Sequence, residues 1–243
     1  MRMKRIVSQT KFETVSVLRN GEQLLLSLVF PLGLLIFLSQ TPLLRGIGII
    51  EPTADPLTIA LPGALGLSLA SSAFTGQSIA TAFDRRYGVL RQLATTPLGT
   101  NGLVLGKLGA VIAVVLIQYA LVFAVACALG FRGPVDVFAL ILATLFGTAA
   151  LLSLGLLMAG TLRAEATLAA TNLIWVLMAG VGGLIVAHPG EWGTVVGYLP
   201  SGALGDAMRA AIGDGGIDIK AIIVLLAWGL VGTLAARRWF RFE

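Results

Sequence analysis

Six stretches of this chain are each long enough and apolar enough to cross a bilayer as a helix, which takes about 20 residues. They run approximately Gln23–Ser39, Leu57–Ala82, Leu103–Leu129, Val137–Gly160, Leu168–Ala187 and Ile219–Ala236. Lipid offers no partner to a backbone N–H or C=O, so a crossing segment must close its own hydrogen bonds, and a helix does so. Composition agrees: 57% of the 243 residues are hydrophobic and 12% charged, half the charge of a soluble domain, about 25%. The mean hydropathy is +0.93. The expected fold is an all-α integral membrane protein, residues 1–243 forming a single transmembrane domain of six helices.

Six crossings place both termini on one side, and Lys and Arg say which. Basic residues in short flanking loops are retained in the cytoplasm. Arg2, Lys4, Arg5, Lys11, Arg19, Arg85, Arg86, Arg91, Lys107, Arg163, Arg237, Arg238 and Arg241 fall on the side of the termini; Arg45, Arg132, Arg209 and Lys220 fall opposite. Both termini are therefore expected in the cytoplasm of a multi-pass protein of the cell's inner (plasma) membrane. The pI near 9.9 follows from this asymmetry. It does not indicate nucleic-acid binding, since no compact basic face with interleaved aromatics accompanies it.

Residues 1–22 are a cytoplasmic segment in which Ile6, Phe12, Val15 and Leu18 lie among basic residues. That pattern suits an interfacial helix entering the first span at Asn20 and Gly21; a partly ordered basic tail is the plainer reading. The first apolar run is expected to stay in place, because a long polar segment precedes it and no small-x-small cleavage site follows Ser39. The single Cys127 permits neither an intrachain disulfide nor a thiol metal cluster.

On the opposite side, 188–218 is the longest loop. Leu204, Met208, Ala211 and Ile212 fall at helical spacing there, with Ser201 as a possible N-cap and Gly213 as a stop. Short interfacial or re-entrant helices and a solvated loop anchored by Trp192 and Tyr198 are both open.

No run has an ionisable residue at its middle. Asp136, Arg163, Glu165, His188 and Lys220 all lie at ends. A carrier driven by ions or protons needs such groups in the membrane, so energy for any transport has to come from outside the bilayer. The chain has no phosphate-cradling loop of its own. The nearest approach, NGLVLGKL, has Asn101 at the first Gly position and Leu108 at the hydroxyl position. No catalytic residue, cofactor or metal site is expected in this chain, and an ATPase partner would be the source of work.

The segment Phe83–Lys107, FDRRYGVLRQLATTPLGTNGLVLGK, is a charged insert between the second and third runs. Asp84, Arg85, Arg86 and Arg91 punctuate a turn or two of amphipathic helix, which Pro97 and Gly99 end. Charge alone reads as positive-inside anchoring. The segment resembles the first cytoplasmic loop of type-2 ATP-binding-cassette (ABC) exporter permeases, in which a charged cluster, a Gly, a Leu-rich turn and TPL precede the third span. One departure is that Asp84 is followed by two Arg and a Tyr, where that family commonly has a Glu-rich start. The long fifth-to-sixth loop with Pro200 is similar to the same family's outer helical pair.

The resemblance implies that 83–99 is a coupling segment. Its short helix would dock in a cleft of an ABC ATPase subunit through Asp84, Arg85, Arg86, Gly88, Val89, Leu90, Arg91 and Leu93. Val89, Leu90 and Leu93 would enter the cleft, and the arginines would meet acidic residues or headgroups. It further implies that ATP and Mg bind the partner ATPase, that a second permease copy or paralogue completes the pathway among membrane lipid, and that the cargo is a hydrophobic or amphipathic solute such as a drug, lipid or glycolipid.

In the second run Ser68, Ser71, Ser72, Thr75 and Ser78 recur at spacings of three and four, which puts their hydroxyls on one face of an α-helix, with Gln77 pointing away. Two readings are compatible, helix packing and a solute-facing pathway wall. Gly102 and Gly106, Ala143 with Gly147, and the amides Gln118 and Asn172 read as helix-packing features. Pro31 should kink the first span, and Gly180, Gly182 and Gly183 should loosen the fifth. Two other classes stay open. An intramembrane enzyme would need a nucleophile beside a base, for which Ser201 and the lone His188 are a faint pair. A non-catalytic membrane scaffold fits the pattern too, and would have no ATPase to lose.

Overall fold

The computed structural model describes residues 2–46, 48–49, 51, 54–94 and 99–240, with the side chains of all of these except 2, 22, 91, 93–94, 99–101, 103 and 214. The described residues are helices and their connections. In order they are α1 (Arg2–Arg19), α2 (Gly21–Leu24), α3 (Phe30–Gln40), α4 (Leu43–Gly46), α5 (Leu57–Ala70), α6 (Gln77–Arg86), α7 (Val89–Ala94), α8 (Gly99–Ala128), α9 (Val137–Thr161), α10 (Ala164–Gly180), α11 (Gly190–Val196), α12 (Pro200–Arg209) and α13 (Ile219–Trp239). Three π turns interrupt them, at Leu25–Val29, Ser71–Gly76 and Ala210–Asp214.

Among the described residues, four helices are long and apolar enough to cross a membrane: Leu57–Arg86, Val104–Ala128, Val137–Thr161 and Ile219–Trp239. Leu25–Gln40 and Ala164–Gly180 are apolar but shorter. The helix Leu57–Arg86, continuous through its π turn, is the hub. Its most apolar window is 89% buried, against 44%, 44% and 28% for the other three. It packs on α3, α8, α9, α10 and α12, while α13 lies along α9 and α1 lies along α8.

Local chemistry sets the ends. Asp136 accepts from the N–H groups of Phe138 and Ala139 at 2.9 and 3.0 Å, and Asp218 from that of Ala221 at 2.9 Å, capping α9 and α13. Arg237 and Arg238 sit in the last turn of α13, where the helix dipole favours cations. Asn20 accepts from the N–H of Gln23 at 3.2 Å, at the entry to the first apolar helix that the sequence suggests. Pro31 opens α3, and the turn before it is a π turn in which the Phe30 N–H bonds to the Leu25 carbonyl. Pro31 has no N–H to donate, and the wider turn absorbs the lost rung.

The fifth apolar helix ends at Gly180, short of the expected Ala187. Beyond it the backbone turns at Gly183, whose φ is +73°. The carbonyls this exposes are taken up by Arg209, which donates to Gly183 at 3.0 Å, Ile185 at 3.3 Å and Leu184 at 3.5 Å, and pairs with Asp206 at 2.7 Å. Non-helical backbone inside a bundle persists only where protein supplies such partners.

The long loop is helical, and α12 is buried. Leu204, Met208, Ala211 and Ile212 are each 0% exposed. Ser201 is not the cap: Leu199 is, with Pro200 at the first helical position, where its missing N–H costs nothing. The helix runs past Arg209 through a π turn to Gly215, which closes it in the left-handed conformation (φ +64°), so Gly213 is not the stop.

Candidate functional site

The end of the bundle that gathers α1, α6, α7, the start of α8 and the α9–α10 junction carries the charged insert. Its centre is Lys107, 1% exposed. Lys107 Nζ lies 3.1 Å from Glu13 of α1 and 3.3 Å from Asp84 of α6. A buried ammonium is tolerated only when paired, and here the pairing joins three helices.

The helix α1 reaches this position because α8 presents glycine to it. A Cβ at Gly106 would stand 2.5 Å from the Gln9 side chain, and one at Gly109 2.7 Å from the Thr10 hydroxyl. Thr10 donates to the Gly106 carbonyl at 3.4 Å. The apolar residues Met3, Val7, Phe12 and Leu18 of α1 stay exposed.

On the other flank, Arg85 donates to the Leu162 carbonyl and Arg86 pairs with Glu165. Both contacts tie the end of α6 to the junction between α9 and α10. Gly88 then reverses the chain with φ +74°, which a residue with a Cβ adopts only with strain. The helix α7 comes next, and its Leu90 is 1% exposed.

These contacts redistribute the roles expected from sequence. Leu90 is buried against its own bundle, where it seats α7. Asp84, Arg85 and Arg86 are engaged within the chain. Among the described side chains of the segment, the exposed ones are Tyr87, 70% exposed, Val89, 37% exposed, Gln92, and the half-exposed Arg86, whose guanidinium lies 5.8 Å from the Tyr87 ring centroid. Arg91, Leu93 and the TPL turn were also part of the expected surface. The side chains of Arg91 and Leu93, and the whole of Thr95–Leu98, lie outside the described residues. Sequence reading missed Glu13 and Glu165. The usable signal for Glu13 was that it is the one acid in a helix of basic and apolar residues.

The hydroxyls of Ser68, Ser71, Ser72, Thr75 and Ser78 are all buried, at 0–4% exposure, and those with neighbours across the bundle meet different elements. Ser71 receives the Trp175 indole N–H at 2.8 Å and donates toward Leu67, near the Leu26 carbonyl of the first apolar helix. Ser72 accepts from the Gln118 amide of α8 at 2.9 Å. Ser78 bonds to its own Phe74 carbonyl and sits against Gly155 of α9. Ser68 and Thr75 have no partner among the described residues, and neither does the buried carbonyl oxygen of Gln77. The π turn Ser71–Gly76 falls in the middle of the series, so a 3.6-residue period does not run unbroken through it. Ala143 and Gly147 behave as packing residues: a Cβ on Gly147 would meet Leu204 at 2.7 Å and Leu69 at 2.9 Å.

The Ser201 and His188 pair makes no hydroxyl–imidazole bond, and His188 Nε2 is buried without a partner. No cluster of His, Cys, Asp or Glu suited to a metal occurs among the described residues.

Comparison with known proteins gives one finding. The family described as ABC-2 family transporter protein matches residues 52–238, from the start of the hub helix to the end of α13. Neither a curated protein nor a solved structure matches the chain. The match covers more than three quarters of the sequence and includes the charged insert with its Lys107 centre, so this chain belongs to the ABC-2 family of transporter proteins, the membrane-embedded permeases of ABC transporters.

Proposed function

We propose that this permease exports a hydrophobic or amphipathic solute, driven by a separate ABC ATPase that docks on the Tyr87–Ala94 segment. The supporting observation is the Glu13–Lys107–Asp84 triad. A force applied to α7 passes through Leu90 and Gly88 into the end of α6, and from there through charge pairs into α1, α8 and the α9–α10 junction. One short exposed helix is thereby joined to most of the bundle at one end.

In this reading the chain crosses the membrane six times, with α3 and α10 as the shorter crossings. Both termini and the charged insert lie on the cytoplasmic face of the inner membrane, a placement that the distribution of Lys and Arg supports. A second permease copy or paralogue completes the transporter, and ATP and Mg bind the ATPase. The hub helix holds its hydroxyls inside the bundle. Ser68 and Thr75, which have no partner among the described residues, are the groups that would face a solute if the helices separate. Export needs the two states of the bundle to differ in their affinity for ATPase and solute.

The test is purification of the native chain and of Tyr87→Asp plus Val89→Asp from native membranes, followed by identification of any co-purified ABC ATPase and by ATP hydrolysis in lipid vesicles. Leu90→Asp is unsuitable because Leu90 is internal. We expect the native chain to retain the ATPase and the double variant, still folded by size-exclusion, to retain at least tenfold less. Equal retention by both would place docking elsewhere; no ATPase with either would return the chain to the scaffold reading.

A further inference from the structure

We propose that the groove between α9, α10, α12 and α13 holds one acyl chain of a bilayer phospholipid, with Lys220 at its rim meeting the phosphate. The groove has a volume of about 390 Å³ and is lined by Phe74, Leu157, Ile174, Leu177, Trp192 and Trp228 among others, with Ser201 its one hydroxyl side chain. It opens sideways, since Leu177, Val181 and Trp192 on its lip are 49%, 50% and 53% exposed. The surfaces on either side, Leu173 and Val176 of α10 and Leu226 and Leu230 of α13, are exposed and apolar.

Those surfaces identify the solvent at the mouth as hydrocarbon, which decides the occupant. Water in such a place needs two to four polar partners. The groove offers little, because the Trp228 indole N–H is already donated to the Tyr198 carbonyl at 2.9 Å. An extended hydrocarbon chain needs none, and contact with the walls gains dispersion that an empty groove forfeits.

The rim supplies the polar end. Lys220 Nζ stands 4.5 Å from the centroid of the Tyr198 ring, and Tyr198 and Trp192 are both more than half exposed, as aromatic residues are at headgroup level. Tyr198 precedes the groove residue Leu199, so the cation is placed one residue from the lining. Asp218 is turned onto the Ala221 N–H, and among the described residues Lys220 forms no ion pair. Lys220 is thus left as the cation for a phosphate. The site does not depend on the transport reading, because a bilayer lipid occupies it whether or not anything is exported.

The test uses the full chain in phosphatidylcholine vesicles containing increasing fractions of a phosphatidylglycerol with brominated acyl chains, which quench nearby tryptophan. The signal of Trp228 is the difference between the native chain and Trp228→Phe, and that of Trp239, 55% exposed at the other end of α13, is obtained likewise. We expect Trp228 to reach half-quenching at a brominated fraction at least threefold lower than Trp239. Filling the groove with Leu157→Phe plus Ile174→Phe should bring the two curves together, while the exposed control Leu234→Phe leaves them apart. Lys220→Gln should raise the half-quenching fraction of Trp228 about threefold. Coincident curves in the native chain, or a Trp228 curve unmoved by filling, would overturn the site. An absence of Trp228 quenching would overturn it in favour of a second copy covering the groove, and a curve unmoved by Lys220→Gln would overturn the phosphate contact.

Discussion

Lys107 joins three helices through a single buried ammonium. Removing it would leave Glu13 and Asp84 facing each other at a place where Glu13 is 12% exposed and the site of the cation almost closed. Breaking a buried pair in this way costs about 3–5 kcal/mol. Lys107→Met should therefore lower the thermal transition in detergent strongly, and Lys107→Arg, which keeps the charge, should lower it much less; equal transitions for native and Lys107→Met would remove the triad from the account. The glycines beside it make a second comparison. Gly109→Leu pushes a side chain into Thr10, and overpacking of this kind costs about 1–3 kcal/mol. Gly180 has nothing within 4 Å of an added Cβ, so Gly180→Ala should change stability by less than about 0.5 kcal/mol. Limited proteolysis of α1 would show whether the Gly109 variant releases that helix in particular.

Among the elements, the π turn of the hub helix determines which hydroxyl meets which neighbour. A π turn contains one residue more than an α turn needs, so deleting Ala73 within Ser71–Gly76 should restore an α-helix and keep the flanking faces in register. Deleting Leu65, in regular helix, should rotate everything beyond it by about 100° and abolish a monodisperse peak in size-exclusion. Comparable peaks from the two deletions would contradict this reading of the turn. The junction after α10 makes a parallel case. Arg209→Ala leaves the carbonyls of Gly183, Leu184 and Ile185 without their donor, and buried groups left unsatisfied cost about 1–3 kcal/mol each. Arg209→Lys, which cannot span the same fork, should recover only part of that loss in a thermal melt.

At the scale of the whole molecule, the apolar runs and the charged insert were legible because hydropathy and charge are local properties of sequence. The membrane class follows from the apolar helices, and the family match runs over residues 52–238, with the charged insert inside it. What the sequence did not reveal depended on contacts across long separations. Glu13 and Lys107 stand 94 residues apart, so nothing near Lys107 announced that it is buried. Leu90 is named as a docking residue through the resemblance of its segment, and that it is buried depends on how α7 packs on the bundle. The serine series has a different obstacle: reading by a 3.6-residue period assumes an unbroken α-helix, and a π turn leaves no composition signal in Ser71–Gly76. The length of the fifth apolar helix was overestimated because residues 181–187 remain apolar after the backbone has stopped being helical.

The claim that joins these scales is that the exposed face of α7 receives an ABC ATPase and that the charge triad relays its movement. Its most direct test is photo-crosslinking from position 89, with a benzophenone amino acid replacing Val89 in otherwise native membranes, and Leu43 of α4 as the control position. The account predicts an adduct at position 89 that mass spectrometry identifies as a Walker-motif ATPase, with none at position 43. Adducts that contain no ATPase, or an ATPase captured equally from both positions, would contradict it.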